Sequence, residues 1–442
     1  MKRLDLERAR RQVRSACAPA YRGRVERVSG LLVEAHGVPA AVGETCRIRR
    51  SSGESVDAEV IGFDGARTLL MPHSELVGIG PSQEVVALGR PFSIFVGDAL
   101  LGRAVDGFGR PIDGRGPLAA RKERPVRGPG PDPLTRRPIK EPLQTGVRVI
   151  DGLNTIGRGQ RVGIFAGSGV GKSTLLAQVA RGTNAQVLVT ALVGERGREV
   201  GAYVRDVLEP RGLKHCVLVA STSDRPPIER FLAPFTATAI AESFRDEGLD
   251  VLLVLDSITR FAAASREIGL AAGEPPTVRG YPPSFFATVP RLLERMGTAQ
   301  RGSITALLTV LLDGDDPNDP VSDTLRGLLD GHLVLARDLA GRGHWPAVDV
   351  LGGLSRLMPE LVDAGHLRAA TKLRGWLAAH RDGRDLVEIG AYKSGTNESL
   401  DEALARMPAI EAFLRQGPRE TSTFAETREL LELVTRTNGG QA

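Results

Sequence analysis

A chain of 442 residues exceeds the roughly 250–300 that one hydrophobic core can serve, so two or three domains are expected. With 41% hydrophobic and 25% charged residues it has the composition of an ordinary folded protein, which excludes a disordered or fibrous chain. The net charge of +5, left by 58 Lys and Arg over 53 Asp and Glu, is too small an excess to signal nucleic acid or lipid by itself.

Cys17, Cys46 and Cys216 stand far apart, which gives neither a disulfide framework nor zinc-ligand spacing. No apolar run reaches the ~20 residues that span a bilayer, and the N-terminus lacks signal-peptide order, so a cytoplasmic protein is expected.

In chain order, 1–18 reads as a basic helix, with Leu4, Leu6, Ala9 and Val13 on one side and Lys2, Arg3, Arg8, Arg10, Arg11 and Arg14 around the rest. A solvated terminal helix and a docking segment for a partner or an anionic membrane are both open readings. Over 19–92 short β-rich runs alternate with Gly and Pro, the pattern of a small β-barrel. A Gly-, Pro- and Arg-rich stretch near 105–140 then opens a region, 93–358, whose near-continuous apolar strands alternate with helices. That alternation indicates an α/β domain with a parallel sheet covered on both faces. Over 359–442 the strands stop and Ala-, Leu-, Arg- and Glu-rich segments predict a closing helical domain.

The sharpest local signal is Ala166-Gly-Ser-Gly-Val-Gly-Lys-Ser173, which follows the strand Val162–Phe165 and opens a helix. The strict phosphate-loop pattern begins with Gly, and Ala166 departs from it by one methyl group. Gly167, Gly169 and Gly171 let the backbone of Gly167, Ser168, Gly169, Val170 and Gly171 turn its N–H groups inward around phosphate oxygens. Lys172 adds positive charge near the β- and γ-phosphates. Ser173 offers a Mg²⁺ ligand, and Thr174 a further hydrogen bond. A ligandless Gly-rich turn is the competing reading, and the strand, lysine and serine together argue against it.

A second metal ligand is expected from an acid ending a buried strand. Asp256 closes the run Val251-Leu-Leu-Val-Leu255 in that way. Hydrolysis also needs a carboxylate to polarise water, and Glu195, at the end of the run Val187–Val193, is the expected base. Arg196, Arg198 and Glu199 beside it read equally well as a surface ion-pair cluster.

These runs carry a resemblance. Gly194-Glu-Arg-Gly-Arg-Glu-Val200, Phe235-Thr-Ala-Thr-Ala-Ile-Ala-Glu242, Asp256-Ser-Ile-Thr-Arg-Phe261, Arg266-Glu-Ile-Gly-Leu270, Gly280-Tyr-Pro-Pro-Ser284 and Asp349-Val-Leu-Gly-Gly-Leu-Ser-Arg356 resemble, in order, the export ATPases of flagella and type III secretion injectisomes. These are relatives of the catalytic subunit of rotary ATP synthases. The resemblance runs from about Tyr21 to about Phe424. It implies a RecA-like P-loop NTPase core with an N-terminal small β-barrel domain and a C-terminal helical domain.

By the same resemblance a loop beginning with Ala is ordinary. The catalytic glutamate falls on Glu195 and the strand-end aspartate on Asp256. The arginine offered to a neighbour's nucleotide falls on Arg356, while Arg196 and Arg260 match positions near the phosphates. Because one chain carries both Glu195 and Arg356, a homohexameric ring with sites between identical subunits is implied. ATP and Mg²⁺ are the implied cofactors. A central stalk, a peripheral regulator and chaperone–substrate complexes are the implied partners, with peripheral association at the inner face of the cytoplasmic membrane. No nucleic acid is expected.

The pattern is broken where Ser243 stands for an aromatic, where Pro317-Asn-Asp319 replaces a more usual loop sequence, and where Trp345 replaces Tyr. An apolar clamp for adenine is expected from the helical domain, with Phe413 as a candidate. Two other readings are weighed. One is a rotary ATP synthase or vacuolar-type subunit, which would pair with a different chain. The other is an RNA-dependent motor, whose N-terminal domain would need the interleaved aromatic and basic residues that this chain lacks.

Overall fold

The computed structural model describes residues 22–208, 212–312 and 319–436. The basic helix expected over 1–18 lies outside them, as do Pro317 and Asn318 of the altered loop. The described chain divides into two compact units, one of 22–93 with Glu267–Pro275 and one of Ile94–Arg266 with 276–436.

The first unit is the expected barrel. Strands β1 (Arg22–Ser29), β2 (Leu32–His36), β3 (Glu44–Arg49), β4 (Ser55–Asp64), β5 (Arg67–Pro72) and β6 (Glu84–Pro91) close in the order β1-β2-β5-β4-β3-β6, all pairs antiparallel. Period-2 alternation sends Val33 and Ala35, Cys46 and Ile48, and Ala58 and Val60 inward, where they meet Leu70 and Val85. Closure removes the free edges that would otherwise invite strand addition. Burial pushes the Cys46 thiol up to about 12, so it serves as packing and not as a nucleophile.

The second unit holds a parallel sheet of β7 (Ala104–Val105), β8 (Arg161–Ala166), β9 (Val187–Glu195), β10 (Cys216–Thr222), β11 (Asp250–Asp256), β12 (Ser303–Leu311) and β13 (Gly331–Leu335), closed by an antiparallel edge strand β14 (Val348–Ser355). The spatial order is β14-β13-β8-β12-β11-β9-β10-β7, with the short strand Gly297–Thr298 paired to β12. The strands read as unbroken apolar runs because both faces are covered.

The sheet's helices are α1 (Arg148–Leu153), α2 (Lys172–Gly182), α3 (Gly197–Tyr203), α4 (Pro227–Asp246), α5 (Ile258–Ala271), α6 (Pro283–Leu293) and α7 (Pro320–Leu328). Helix α4 packs on β9, β10 and β11 and is almost wholly buried. Its Glu242 carboxylate takes a bidentate fork from Arg295, 2.9 and 2.7 Å, and a further bond from Arg124 at 3.1 Å. Two guanidinia on one buried carboxylate tie the Pro- and Gly-rich segment around Arg124 to the core. Ser243, where an aromatic was expected, is buried and satisfied by donating to Ile240 O at 2.8 Å.

Helices α8 (Ala364–Glu388), α9 (Glu398–Leu414) and α10 (Phe424–Thr435) complete the unit. Each starts on a side-chain cap: Asp363 for Gly365 and His366, Asn397 for Leu400, and a Thr423–Glu426 capping box. A Cβ on Gly383 would lie 2.4 Å from Leu400 Cδ2, so the α8–α9 crossing requires glycine there. Leu373, Trp376, Ile410, Phe413 and Leu431 join the same core cluster as the sheet strands.

Candidate active site

The loop Gly167–Gly171 leaves β8 at the carboxyl edge of the sheet, where α/β folds place their ligand crevices. Gly169 (φ 78°) and Gly171 (φ 87°) take left-handed conformations that side chains rarely adopt, and Gly171 is the N-cap of α2. A Cβ on Gly171 would also lie 2.5 Å from the Trp345 ring. Val170 is buried as the loop's apolar anchor, whereas Ser168, Gly169, Ser173 and Thr174 are exposed at its mouth.

Parallel registration brings the two acids to this mouth. Leu192 of β9 pairs with Asp256 of β11, which puts Glu195 at the same sheet edge. The Lys172 ammonium contacts Asp256 Oδ1 and lies 3.6 Å from Glu195 Oε1, so one cation bridges both carboxylates. Thr309, buried on β12, donates its hydroxyl to Asp256 Oδ1 at 2.7 Å. Glu195 Oε1 is buried without a hydrogen-bond partner. Burial pushes the Glu195 carboxyl up to about 7; Lys172 pulls the other way, and Asp256 and Glu199 add to the rise.

Arg196 is exposed and stands at the N-cap position of α3, with Arg198 also exposed in its first turn. Arg260 lies against the acid-bearing strand end, its stem close enough that a Cβ on Gly194 (φ 67°) would fall 2.9 Å from Arg260 Cβ. Of the residues expected at the site, the loop, Ser173, Thr174, Glu195, Arg196, Asp256 and Arg260 therefore gather at one edge of the sheet. Arg356 does not. It follows β14, where Ser355 pairs with Gly331 and Gly331 with Val162, at the amino end of β8. The length of β8 separates it from the loop, roughly 20 Å at about 3.3 Å per residue.

Two cavities open from the loop. One, of about 630 Å³, runs from Ser173, Glu195 and Asp256 past Ala177 to Tyr203 and Arg181. The other, of about 330 Å³, is lined by Gly169, Gly171, Thr174, Trp345, Pro346 and Pro418 among others. Pro418 belongs to a strap after α9 that Gln178 of α2 grips by donating to Gly417 O at 2.9 Å. Phe413 lines neither cavity; it is buried in the core against Gly152, so the apolar wall beside the loop comes from Trp345, Pro346 and Pro418. Sequence reading missed Thr309 and the strap. The one available signal for Thr309 was a hydroxyl in the mostly apolar run Ile304–Val310, a signal it shares with Thr305.

A family model described as the ATP synthase alpha/beta family, nucleotide-binding domain, matches residues 146–355, and one described as the T3SS EscN ATPase C-terminal domain matches 362–432. Over 414 residues the chain is 50% identical to the type 3 secretion system ATPase of Xanthomonas euvesicatoria, covering 93% of this chain and 94% of that one. The chain belongs to the type III export ATPase family. Another member, the flagellum-specific ATP synthase of Pseudomonas aeruginosa, is 48% identical over 429 residues, 96% of this export ATPase and 95% of that one.

Among solved structures, the assembled ATPase EscN of the enteropathogenic E. coli type III secretion system superposes with a TM-score of 0.89 at 44% identity, covering 94% of this chain and all (100%) of that one. EscN in complex with its central stalk EscO gives a TM-score of 0.87 at 43% identity, with coverage of 94% and 100%. As a member of this family the export ATPase is an ATP hydrolase. Among its described residues no helix is long and apolar enough to cross a membrane.

Proposed function

We propose that this export ATPase hydrolyses MgATP at sites shared between neighbouring copies of itself in a homohexameric ring. The observation that carries the reading is the Lys172 ammonium held between Glu195 and Asp256 at the mouth of the glycine-lined loop. Phosphate oxygens compete for that ammonium and for the loop N–H groups, while the wall of Trp345, Pro346 and Pro418 suits the flat apolar face of adenine. Ser173 and Asp256 are hard oxygen donors suited to Mg²⁺, which when bound would neutralise charge on the β- and γ-phosphate oxygens.

Glu195, with a buried oxygen that accepts no hydrogen bond, takes one from the attacking water and draws its proton as the oxygen approaches the γ-phosphorus. ADP leaves as the phosphoryl group passes to water. Arg356, carried at the far end of the sheet from its own loop, serves the adjacent copy's site, where a guanidinium on the transferring phosphoryl group is worth about 10³–10⁵ in rate. This division of labour couples turnover to assembly. Arg196 and Arg260 hold the phosphates from the rim.

The ring lies at the inner face of the cytoplasmic membrane and acts with a central stalk, a peripheral regulator and chaperone–substrate complexes. It releases chaperones and unfolds export substrates. The EscN–EscO complex supports the stalk, and the assembled EscN supports the ring. We favour an injectisome over a flagellum on the runs Lys172-Ser-Thr-Leu-Leu176 and Thr222-Ser-Asp-Arg-Pro226.

The test is to purify the chain alone. Magnesium-dependent ATP hydrolysis by a nucleotide-stimulated homo-oligomer, lost in Lys172→Ala, supports the reading. Activity that appears only with a different nucleotide-binding chain would make it a rotary-type subunit, and stimulation by single-stranded RNA would make it a nucleic-acid motor. Restoration of effector secretion, and not of motility, in deletion strains would place it in an injectisome.

A further inference from the structure

Arg356 is an exposed side chain on a rigid root. Among the described residues its guanidinium makes one long bond, 3.4 Å, to Arg326 O, whereas its backbone N–H donates to Asp330 O at 3.1 Å. The residue that organises this root is Gln160, in the turn before β8 and 0% exposed. Its amide nitrogen donates to Asp330 O and to Ser355 Oγ, both at 3.2 Å, and its oxygen accepts from Gly157 N at 2.8 Å. Ser355 Oγ in turn donates to Thr155 O at 2.6 Å.

The Asp330 carboxylate is held as well, by Arg161 N at 2.9 Å and Arg161 Nε at 3.2 Å. One buried amide therefore joins the carbonyl that receives Arg356 N–H to the side chain of the residue immediately before Arg356. The approach is tight, because a Cβ on Gly331 would lie 3.2 Å from Gln160 Nε2 and 2.6 Å from Leu354 O.

We propose that Gln160 is a positioning residue for the arginine offered to the neighbouring subunit, an inference that rests on the shared-site reading above. A long side chain that must meet a transferring phosphoryl group across an interface inherits every error of its root, and a misplacement of about 1 Å costs on the order of 10²-fold in rate. The Gln160 amide nitrogen is committed to that root, while its oxygen is held by Gly157 N in its own turn. It lies at the amino end of β8, a strand's length from the loop of its own subunit, so its loss injures the site next door.

Complementation in mixed rings tests this. Gln160→Leu should lower kcat about 10–100-fold while leaving nucleotide affinity and KM at wild-type values. Mixed with Glu195→Gln subunits it should regain activity, because its intact loop then meets an intact arginine. Mixed with Arg356→Ala subunits it should not.

The opposite pattern, recovery with Arg356→Ala and none with Glu195→Gln, would show damage to its own loop and overturn the assignment, as would unchanged turnover. Should Gln160→Leu fail to fold, Ser355→Ala, which removes one arm of the same brace, is read in the same two mixtures, and wild-type turnover in that variant also overturns it. A control mixture of Arg356→Ala with Glu195→Gln separates the two claims. If the control stays inactive, the shared site is wrong and Gln160 falls with it. If the control recovers and the Gln160→Leu and Glu195→Gln mixture does not, only the role of Gln160 is lost.

Discussion

Thr309 Oγ1 donates to Asp256 Oδ1 at 2.7 Å, and that same carboxylate oxygen is the one the Lys172 ammonium contacts. A hydroxyl on one strand thus fixes the orientation of an acid on the next, and the acid in turn receives the loop lysine. Removing the brace leaves the carboxylate in place and its aim undetermined. Thr309→Val should therefore raise the Mg²⁺ concentration needed for half-maximal hydrolysis by about 10–100-fold, the usual cost of losing a hydrogen bond behind a metal ligand. A magnesium titration at saturating ATP checks this, and an unchanged half-point would show that Asp256 needs no such support.

Lys172→Ala removes the cation that bridges both carboxylates as well as the one that meets the phosphates. Hydrolysis should be abolished and binding of a fluorescent ATP analogue weakened, measured by turnover and by titration. Normal turnover would count against the assigned loop.

Glu195 gives a pH signature. With its carboxyl pushed up to about 7 by burial, the fraction able to act as base rises through neutrality, so kcat/KM should climb between about pH 6 and 8. Glu195→Gln should bind MgATP, turn over about 10²–10⁴-fold more slowly and lose that slope. The stability consequence has the opposite sign. An acid whose folded value lies above its unfolded one favours the fold while protonated, and that contribution is lost as pH rises from the ordinary carboxylate range through about 7. Glu195→Gln should therefore raise Tm at pH 8 more than at pH 5, as read by thermal unfolding at the two values.

The buried fork between Arg295 and Glu242 predicts a structural result. Arg295 is 1% exposed, so Arg295→Met leaves the buried Glu242 carboxylate with Arg124 as its remaining cationic partner among the described residues. A loss of about 3–5 kcal/mol is expected, seen as a lower urea midpoint, whereas turnover per folded molecule should hold. A loss below about 1 kcal/mol would mean that Arg124 alone compensates.

Much of this was legible because it is local. A strand, three alternate glycines, a lysine and a serine fall within Val162–Ser173, and both acids end apolar runs, so chain order alone brings out Gly167–Ser173, Glu195 and Asp256. The fold class follows from the same periodicities. What stayed hidden depends on register. Thr309 and Asp256 are 53 residues apart, and Gln160 and Ser355 are 195 apart; only the sheet order makes them neighbours. Phe413 shows the converse difficulty. An apolar ring on an amphipathic helix reads alike as core or as ligand wall, and here it fills the space over Gly152 while Trp345 and Pro418 stand beside the loop.

The central claim is that each site takes its loop and base from one copy and its arginine from the next. Arg356→Ala and Glu195→Gln subunits, each inactive alone, should be mixed in equal amounts and assayed for ATP hydrolysis. In a ring of identical head-to-tail interfaces, roughly a quarter of random pairings join an intact loop to an intact arginine, so activity should return to a substantial fraction of wild type. Mixtures that stay inactive at every ratio, although both variants assemble together, would contradict a shared site.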